Sequence, residues 1–288
     1  MKVLVTGAGG QVGQEIPAAA VARGHQVDAR DHAALDITDG AAVAAAAAAG
    51  DVDAVINAAA YTQVDQAEDE SERAFAVNEN GAATLAGLGL PLLHLSTDYV
   101  FDGQSPAPYS EKDLAAPISV YGHSKLAGER AVSAVNPRHL IVRTSWIFGR
   151  HGGNFVKTML RLSGEHDALR IVTDQRGGPT PARAIAETLV IMMEHCVLPD
   201  FHDWGIYHYG GTPTVTWLDF AREIFRQSGA TVRLEPTTSA AHGARAARPA
   251  NSELECAKIF RGFGVVQPDW RLAIADLIAS PGAEGPHR

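Results

Sequence analysis

The chain has 288 residues, 46% of them hydrophobic and 20% charged, enough for one large domain or two unequal ones with a substantial core. A formal net charge of -9 argues against nucleic acid or an anionic membrane surface as the main partner, so any anionic ligand must meet a local basic pocket. Cys196 and Cys256 stand alone without C-x-x-C or zinc spacing, and no apolar run approaches a membrane span; the expectation is a soluble, cytoplasmic protein without disulfides or a structural metal.

Val3-Leu4-Val5 is a short apolar run that stops at Thr6-Gly7, as a buried parallel strand does. Gly7-Ala8-Gly9-Gly10-Gln11-Val12-Gly13 follows. Glycines at 7, 10 and 13 permit a tight turn, close approach of a pyrophosphate to the amides, and close packing of a helix whose N-terminus faces the negative charge. The segment therefore predicts dinucleotide binding. Pro17 falls inside the predicted helix, where it would remove the bond to the Gly13 carbonyl and kink the helix at a cost of about 3 kcal/mol.

A second strand over about 25–29 ends at Arg30 and Asp31, where an NAD site would place an acid for the adenosine ribose. A guanidinium there suits the 2′-phosphate of NADPH, whereas Asp31 could take the hydroxyls of NADH. Asp36-Ile37-Thr38-Asp39 leads into an alanine run over 41–49, a helix stopped by Gly50. Residues 52–56 form the next strand, and Ala60-Tyr61-Thr62 belong to a small-residue segment against which a cofactor can lie. Residues 64–80 read as a polar-faced helix whose acids at 65, 68, 69, 70 and 72 are solvated.

Residues 92–95 are a buried strand that delivers Ser96-Thr97-Asp98 to the edge where open parallel sheets bind ligands. In Tyr121-Gly122-His123-Ser124-Lys125 a helix sets the phenol and the ammonium on one face. The positive charge is expected to bring the phenol's pKa down toward working range, making Tyr121 a proton donor. A strand over 141–149 carries Trp146 at its exit. Helices over 154–165, 181–196 and 216–229 alternate with strands over 169–173 and 205–210. The loop over 241–252 carries Arg245 and Arg248, which could clamp a diphosphate.

The β-α alternation predicts an α/β fold: a Rossmann-type doubly wound parallel sheet from residues 1–150 plus about 179–212. A smaller α/β substrate-binding domain would take about 151–178 plus 213–280, with 281–288 as a frayed tail.

Together, T-G-A-G-G-Q-V-G, N-A-A-A-Y-T, S-T-D-Y-V-F and Y-G-H-S-K resemble the extended short-chain dehydrogenases/reductases. Within them, STDYVFDG, IVRTSWIFG, DQRGGPT, ARPANSEL and PDWR resemble the dTDP-4-dehydrorhamnose reductase family, from Met1 to about Ile278. The resemblance implies reduction of a dTDP-4-keto sugar by NADPH, with NADH as the alternative, in a monomer or homodimer. It implies that Gly10, Gln11, Val12, Asp36, Ile37, Ala60, Tyr61 and Thr62 line the cofactor. It further implies that Thr97, Tyr121 and Lys125 are catalytic, and that Thr97, Asp98 and Trp146 touch the sugar nucleotide. Some relatives hold magnesium with two glutamates; Glu15 matches one, but Arg183 stands opposite the second, so no metal is expected. The rival readings are a sugar-nucleotide epimerase or dehydratase of the same fold, and a non-catalytic cofactor-binding subunit.

Overall fold

The computed structural model describes residues 1–279, so the tail expected at 281–288 lies outside the described residues. From the N-terminus the elements are β1 (Lys2–Thr6), α1 (Ile16–Ala22), β2 (Gln26–Arg30), α2 (Gly40–Gly50) and β3 (Ala54–Asn57). Next come α3 (Ser71–Phe75) and α4 (Ala82–Ala86), joined by a π-helical stretch at Ala76–Gly81, then β4 (Leu92–Thr97), α5 (Val120–Val135) and β5 (His139–Thr144). Shorter pieces follow: β6 (Ile147–Phe148), α6 (Phe155–Ser163), β7 (Ala168–Val172), β8 (Arg176–Gly177) and β9 (Thr180–Pro181). The chain continues through α7 (Ala182–Cys196), β10 (Gly205–His208), β11 (Val215–Thr216), α8 (Trp217–Ser228) and β12 (Arg233–Thr237). It ends in α9 (Ser239–His242), α10 (Ala257–Phe263) and α11 (Trp270–Ala279).

Six strands pair in the order β10-β5-β4-β3-β1-β2, all parallel, which is the doubly wound sheet the alternation predicts. Successive side chains point to opposite faces, and each face is covered. Val3 and Val5 pack with Ile16, Ile185, Leu189 and Met192 on one side, whereas Leu4 packs with Val43, Leu85 and Val132 on the other. The β7–β12 pair and helices α6, α8 and α11 enclose a second cluster, where Phe220 meets Phe148 and Trp270 edge to face. The strand order reverses between β1 and β3, and a crevice opens at the carboxyl ends of strands at such a point.

Two local expectations are corrected. Pro17 lies in the first turn of α1, because residues 8–15 are turns and the regular helix begins only at Ile16. First-turn amides have no intrahelical acceptor, so the missing N–H breaks no helical bond. The segment expected as one helix over 64–80 is a 3-10 turn at Gln66–Glu68, and the helical rod starts at Ser71 and continues to Ala86.

The placement of α5 depends on two missing side chains. A Cβ on Gly122 would stand 2.3 Å from the Tyr99 carbonyl oxygen, and one on Gly128 would stand 2.0 Å from that of Asn78. Ser119 caps the helix by accepting from the Gly122 amide at 3.2 Å. Beneath α5, Glu129 and Arg143 form a fully buried bidentate pair at 2.8 and 2.6 Å, and Ser96 donates to Glu129 at 2.6 Å. Gly128→Ala is therefore expected to lose about 1–3 kcal/mol in urea unfolding, because the backbone of Asn78 cannot yield as a side chain would. Gly40→Ala, whose new methyl would find its nearest neighbour at 3.8 Å, should stay within about 0.5 kcal/mol of the parent. Equal stabilities for the two variants would contradict this account.

Candidate active site

The glycine loop and the exit of β3 are built against each other. Gly7 has φ +73°, and a Cβ there would lie 2.4 Å from the Ala59 amide nitrogen; a Cβ on Gly13 would lie 2.0 Å from the Gly7 carbonyl oxygen. Neither position admits a side chain. Below the loop, Thr6 donates to Asn57 Oδ1 at 2.8 Å, and the same oxygen accepts the Ala59 amide at 3.0 Å. Asn57 Nδ2 meets buried His94 Nδ1 at 3.0 Å, and burial first, then the Lys125 charge, holds His94 well below its ordinary pKa, so the ring is neutral. Asn78 fixes Tyr61 from the other side, accepting its amide at 2.9 Å and donating to its carbonyl at 3.1 Å and to Ser124 at 2.9 Å.

These walls enclose a crevice of about 520 Å³ at the strand-order reversal. Of the residues expected at the cofactor, Gly7, Gly10, Asp36, Ile37, Ala60 and Tyr61 line it. Val12 turns its side chain into the core, Gly13 packs on Gly7, Gln11 bonds Asn154 at 3.2 Å, and Thr62 is exposed outside the lining. His32, Leu35, Arg73 and Val77 also line the crevice; no local motif marks them, because they arrive from separate loops and the α3 rod. Arg30 is placed differently from its expectation: its guanidinium bonds Asp28 at 2.6 and 3.0 Å, two residues back along β2. Asp31 accepts the Ala34 amide at 2.9 Å and shapes the following turn.

At the carboxyl end of β4, Thr97 accepts the Tyr99 amide at 3.2 Å and donates to Asp98 Oδ1 at 3.0 Å. Its hydroxyl also acts on the Tyr121 phenol, pulling the phenol's pKa down. Tyr121 stands in the first turn of α5 with its ring edge to face with Tyr99 at 5.5 Å. Lys125, only 2% exposed, donates from Nζ to the Leu95 carbonyl at 2.8 Å. Here the electrostatic expectation is corrected. Burial pushes Tyr121 up to about 12, the Thr97 bond pulls it back, and the Asp98 charge adds to the rise. The ammonium is committed to the Leu95 carbonyl and is itself brought down to about 8 by burial, which Glu129 opposes. The phenol is thus held protonated at neutral pH, and it is the Thr97 hydroxyl that favours its anion.

Asp98 is buried and pushed up to about 7 by desolvation, against the pull of the Ser252 and Thr97 hydroxyls. The Ser252 hydroxyl bonds the Arg176 carbonyl at 3.3 Å, and Asp98 Oδ2 keeps no hydrogen-bond partner among the described residues. Trp146 has φ +47°, a backbone state that non-glycine residues rarely adopt. It lays the indole flat on Trp217, with centroids 3.5 Å apart and planes at 4°, and against Gly177, where a Cβ would meet the ring at 2.6 Å. Arg245 and Arg248 do not face an open groove, because Asp69 and Asp65 hold them. The acids expected on a solvated helix face therefore include two that pair with a loop remote in sequence. Glu15 lies 3.5 Å from His151 Nε2, and Arg183 bonds Glu187 at 2.9 Å.

A parallel sheet with a glycine loop at its reversal point and Thr, Tyr and Lys at the adjoining strand end defines a dinucleotide-binding α/β protein of the short-chain dehydrogenase/reductase type. More narrowly, the chain belongs to the family described as RmlD substrate binding domain, whose profile matches residues 1–281. A relative from Aggregatibacter actinomycetemcomitans named dTDP-4-dehydrorhamnose reductase is 43% identical over 289 residues, covering 96% of this chain and 98% of that protein. A crystal structure of dTDP-4-dehydrorhamnose reductase from Bacillus anthracis in complex with NADP is 35% identical with a TM-score of 0.90, covering 96% and 98% of the two chains. A UDP-glucose-4-epimerase from Stenotrophomonas maltophila, at 18% identity and a TM-score of 0.86 over 96% of each chain, shares the fold.

The raised Asp98 gives a pH signature. Its folded pKa exceeds the unfolded value, so between about pH 4 and 7 the native carboxyl holds a proton that the unfolded one has lost. Its contribution is complete below the unfolded pKa and is lost as pH rises through about 7. Relative to Asp98→Asn, the parent should lose stability by up to about 1.4 kcal/mol per pH unit in that window. Parallel stability curves in urea titrations from pH 4 to 8 would show an ordinary carboxylate instead.

Proposed function

We propose that the protein reduces the 4-keto group of dTDP-4-dehydro-β-L-rhamnose to give dTDP-L-rhamnose, with NADPH as reductant. The observation that carries this reading is the meeting of Thr97, Tyr121 and Lys125 at the carboxyl end of β4, in a chain whose relatives of similar length bear the reductase name. The site fits a dinucleotide, because Gly7 and Gly13 let the loop close on the exit of β3 and on itself, which leaves Gly7, Gly9 and Gly10 lining the crevice at the strand-order reversal, where a pyrophosphate can approach the backbone. When bound, the reduced nicotinamide supplies the hydride to the carbonyl carbon.

The protein's residues then handle the oxygen. Thr97 orients and polarises the carbonyl, and Tyr121, protonated at rest, gives its proton to the alkoxide as charge develops. Lys125 would hold the nicotinamide ribose, sharing its ammonium with the Leu95 carbonyl, and would stabilise the phenolate left behind. Trp146 and Asp98 would wall the sugar. The β1–β5 and β10 sheet would form the cofactor domain, and the region around the second cluster the substrate domain. In the groove that Glu15 lines with Glu187 and Asp276, Arg183 brings a cation and bonds Glu187 at 2.9 Å, and the reading adopted is catalysis without a metal.

The direct test supplies dTDP-4-keto-6-deoxyglucose with its 3,5-epimerase and follows loss of reduced nicotinamide. No oxidation with either nicotinamide would favour a non-catalytic binding protein. Tyr121→Phe should bind NADPH normally yet turn over about 10² to 10⁴-fold more slowly; near-normal turnover would remove Tyr121 as the acid. For the cofactor, Arg30 is proposed to exchange Asp28 for the 2′-phosphate. Arg30→Ala should then lower the NADPH to NADH ratio of kcat/KM by roughly 10 to 150-fold, and an unchanged ratio would show that Arg30 remains with Asp28.

A further inference from the structure

The segment Asp65–Asp69 and the loop carrying Arg245 and Arg248 are far apart in sequence, but four charged groups join them. Arg248 reaches Asp65 with both terminal nitrogens, Nη1 to Oδ1 at 3.1 Å and Nη2 to Oδ2 at 2.6 Å. Asp65 Oδ1 also accepts the Ala246 amide at 2.9 Å, and Arg248 Nη1 donates back to the Ala246 carbonyl at 2.9 Å. Arg245 engages both oxygens of Asp69 in the same forked way. The Arg248 charge also acts on Tyr99, whose ring meets that of Tyr121. The pairs therefore stand beside the catalytic tyrosine.

A carboxylate and a phosphate present the same forked acceptor to a guanidinium, so one can replace the other without rebuilding the arginine's geometry. The Arg248 bond holds Asp65 below the usual carboxylate range, so this acid is ionised at neutral pH. The side chains of Asp65 and Asp69 are 49% and 52% exposed, so a carboxylate that lets go is rehydrated at once. Arg248, at 22%, is the less hydrated partner, so loss of its anion costs it more than it costs the acid.

We propose that Asp65 and Asp69 are specificity-determining counter-ions, which occupy Arg248 and Arg245 in the free protein and are exchanged for the diphosphate of the nucleotide sugar. The inference rests on the function proposed above and deepens it. A ligand without phosphates gains nothing from the exchange. A diphosphate ligand must displace two resident carboxylates, so the acids lower its affinity and speed its release when they close again on the arginines.

The test is calorimetric titration of dTDP, and of thymidine as the phosphate-free control, into the protein saturated with NADP⁺. Asp65→Asn with Asp69→Asn removes both charges, and asparagine at 65 keeps an acceptor for the Ala246 amide. This double variant is expected to bind dTDP about three- to tenfold more tightly with thymidine unchanged. Unchanged or weaker dTDP binding overturns the proposal, as does equal tightening of thymidine, which would report a general loosening of the loop. Arg245→Ala with Arg248→Ala separates the two ideas. Loss of dTDP affinity there with thymidine unchanged supports the arginine–diphosphate contact, whereas unchanged dTDP affinity would show that the diphosphate meets neither arginine and would overturn the underlying reading.

Discussion

The close approach of α5 to the end of β4 is the constraint on which the geometry of the candidate site depends. Gly122 and Gly128 let the helix lie within contact of the Tyr99 and Asn78 carbonyls, and only at that separation does Lys125 reach the Leu95 carbonyl while Tyr121 meets Thr97. Asn78 belongs to the π-helical stretch, and its side chain ties Tyr61 to Ser124 on α5. One packing contact therefore sets both the wall of the crevice and the positions of Tyr121 and Lys125. π-Helical segments often mark functional sites, because the extra residue turns a backbone group out of the regular ladder.

Two kinds of buried charge stand side by side. Glu129 and Arg143 compensate each other with two short bonds, and Arg143 also lies over the Phe101 ring at 5.1 Å. That pair is costly to break from one side and contributes little net stability as a whole. Lys125 and Asp98 lack such partners, and desolvation shifts both toward neutrality. Protonation equilibria near working pH thus sit where the chemistry is proposed, and the fixed charges are kept beneath it.

The glycine loop, the strand–helix alternation and the Tyr121–Lys125 spacing were legible because each is local: turn geometry, side-chain period and helical face need only neighbours in sequence. Pro17 was misread because the residue at which a helix begins depends on how the preceding turns pack on β3. Asp65 and Asp69 read as solvated because their partners, Arg248 and Arg245, lie some 180 residues away. Arg30 likewise carried no mark of its pairing with Asp28, since both point to one side of β2 and either could have faced a ligand.

By itself the sequence determined the fold class, the glycine turn that follows β1, and the residue types at the end of β4, since periodicity and glycine placement specify backbone paths. Only the tertiary structure decided the electrostatics. Whether Tyr121 is pulled down by a lysine or pushed up by burial, whether Asp98 is a carboxylate or a neutral acid, and which carboxylates hold the arginines all follow from desolvation and distance between segments remote in the chain. Those energies vary with position inside a low-dielectric interior, and no local pattern of residues encodes them.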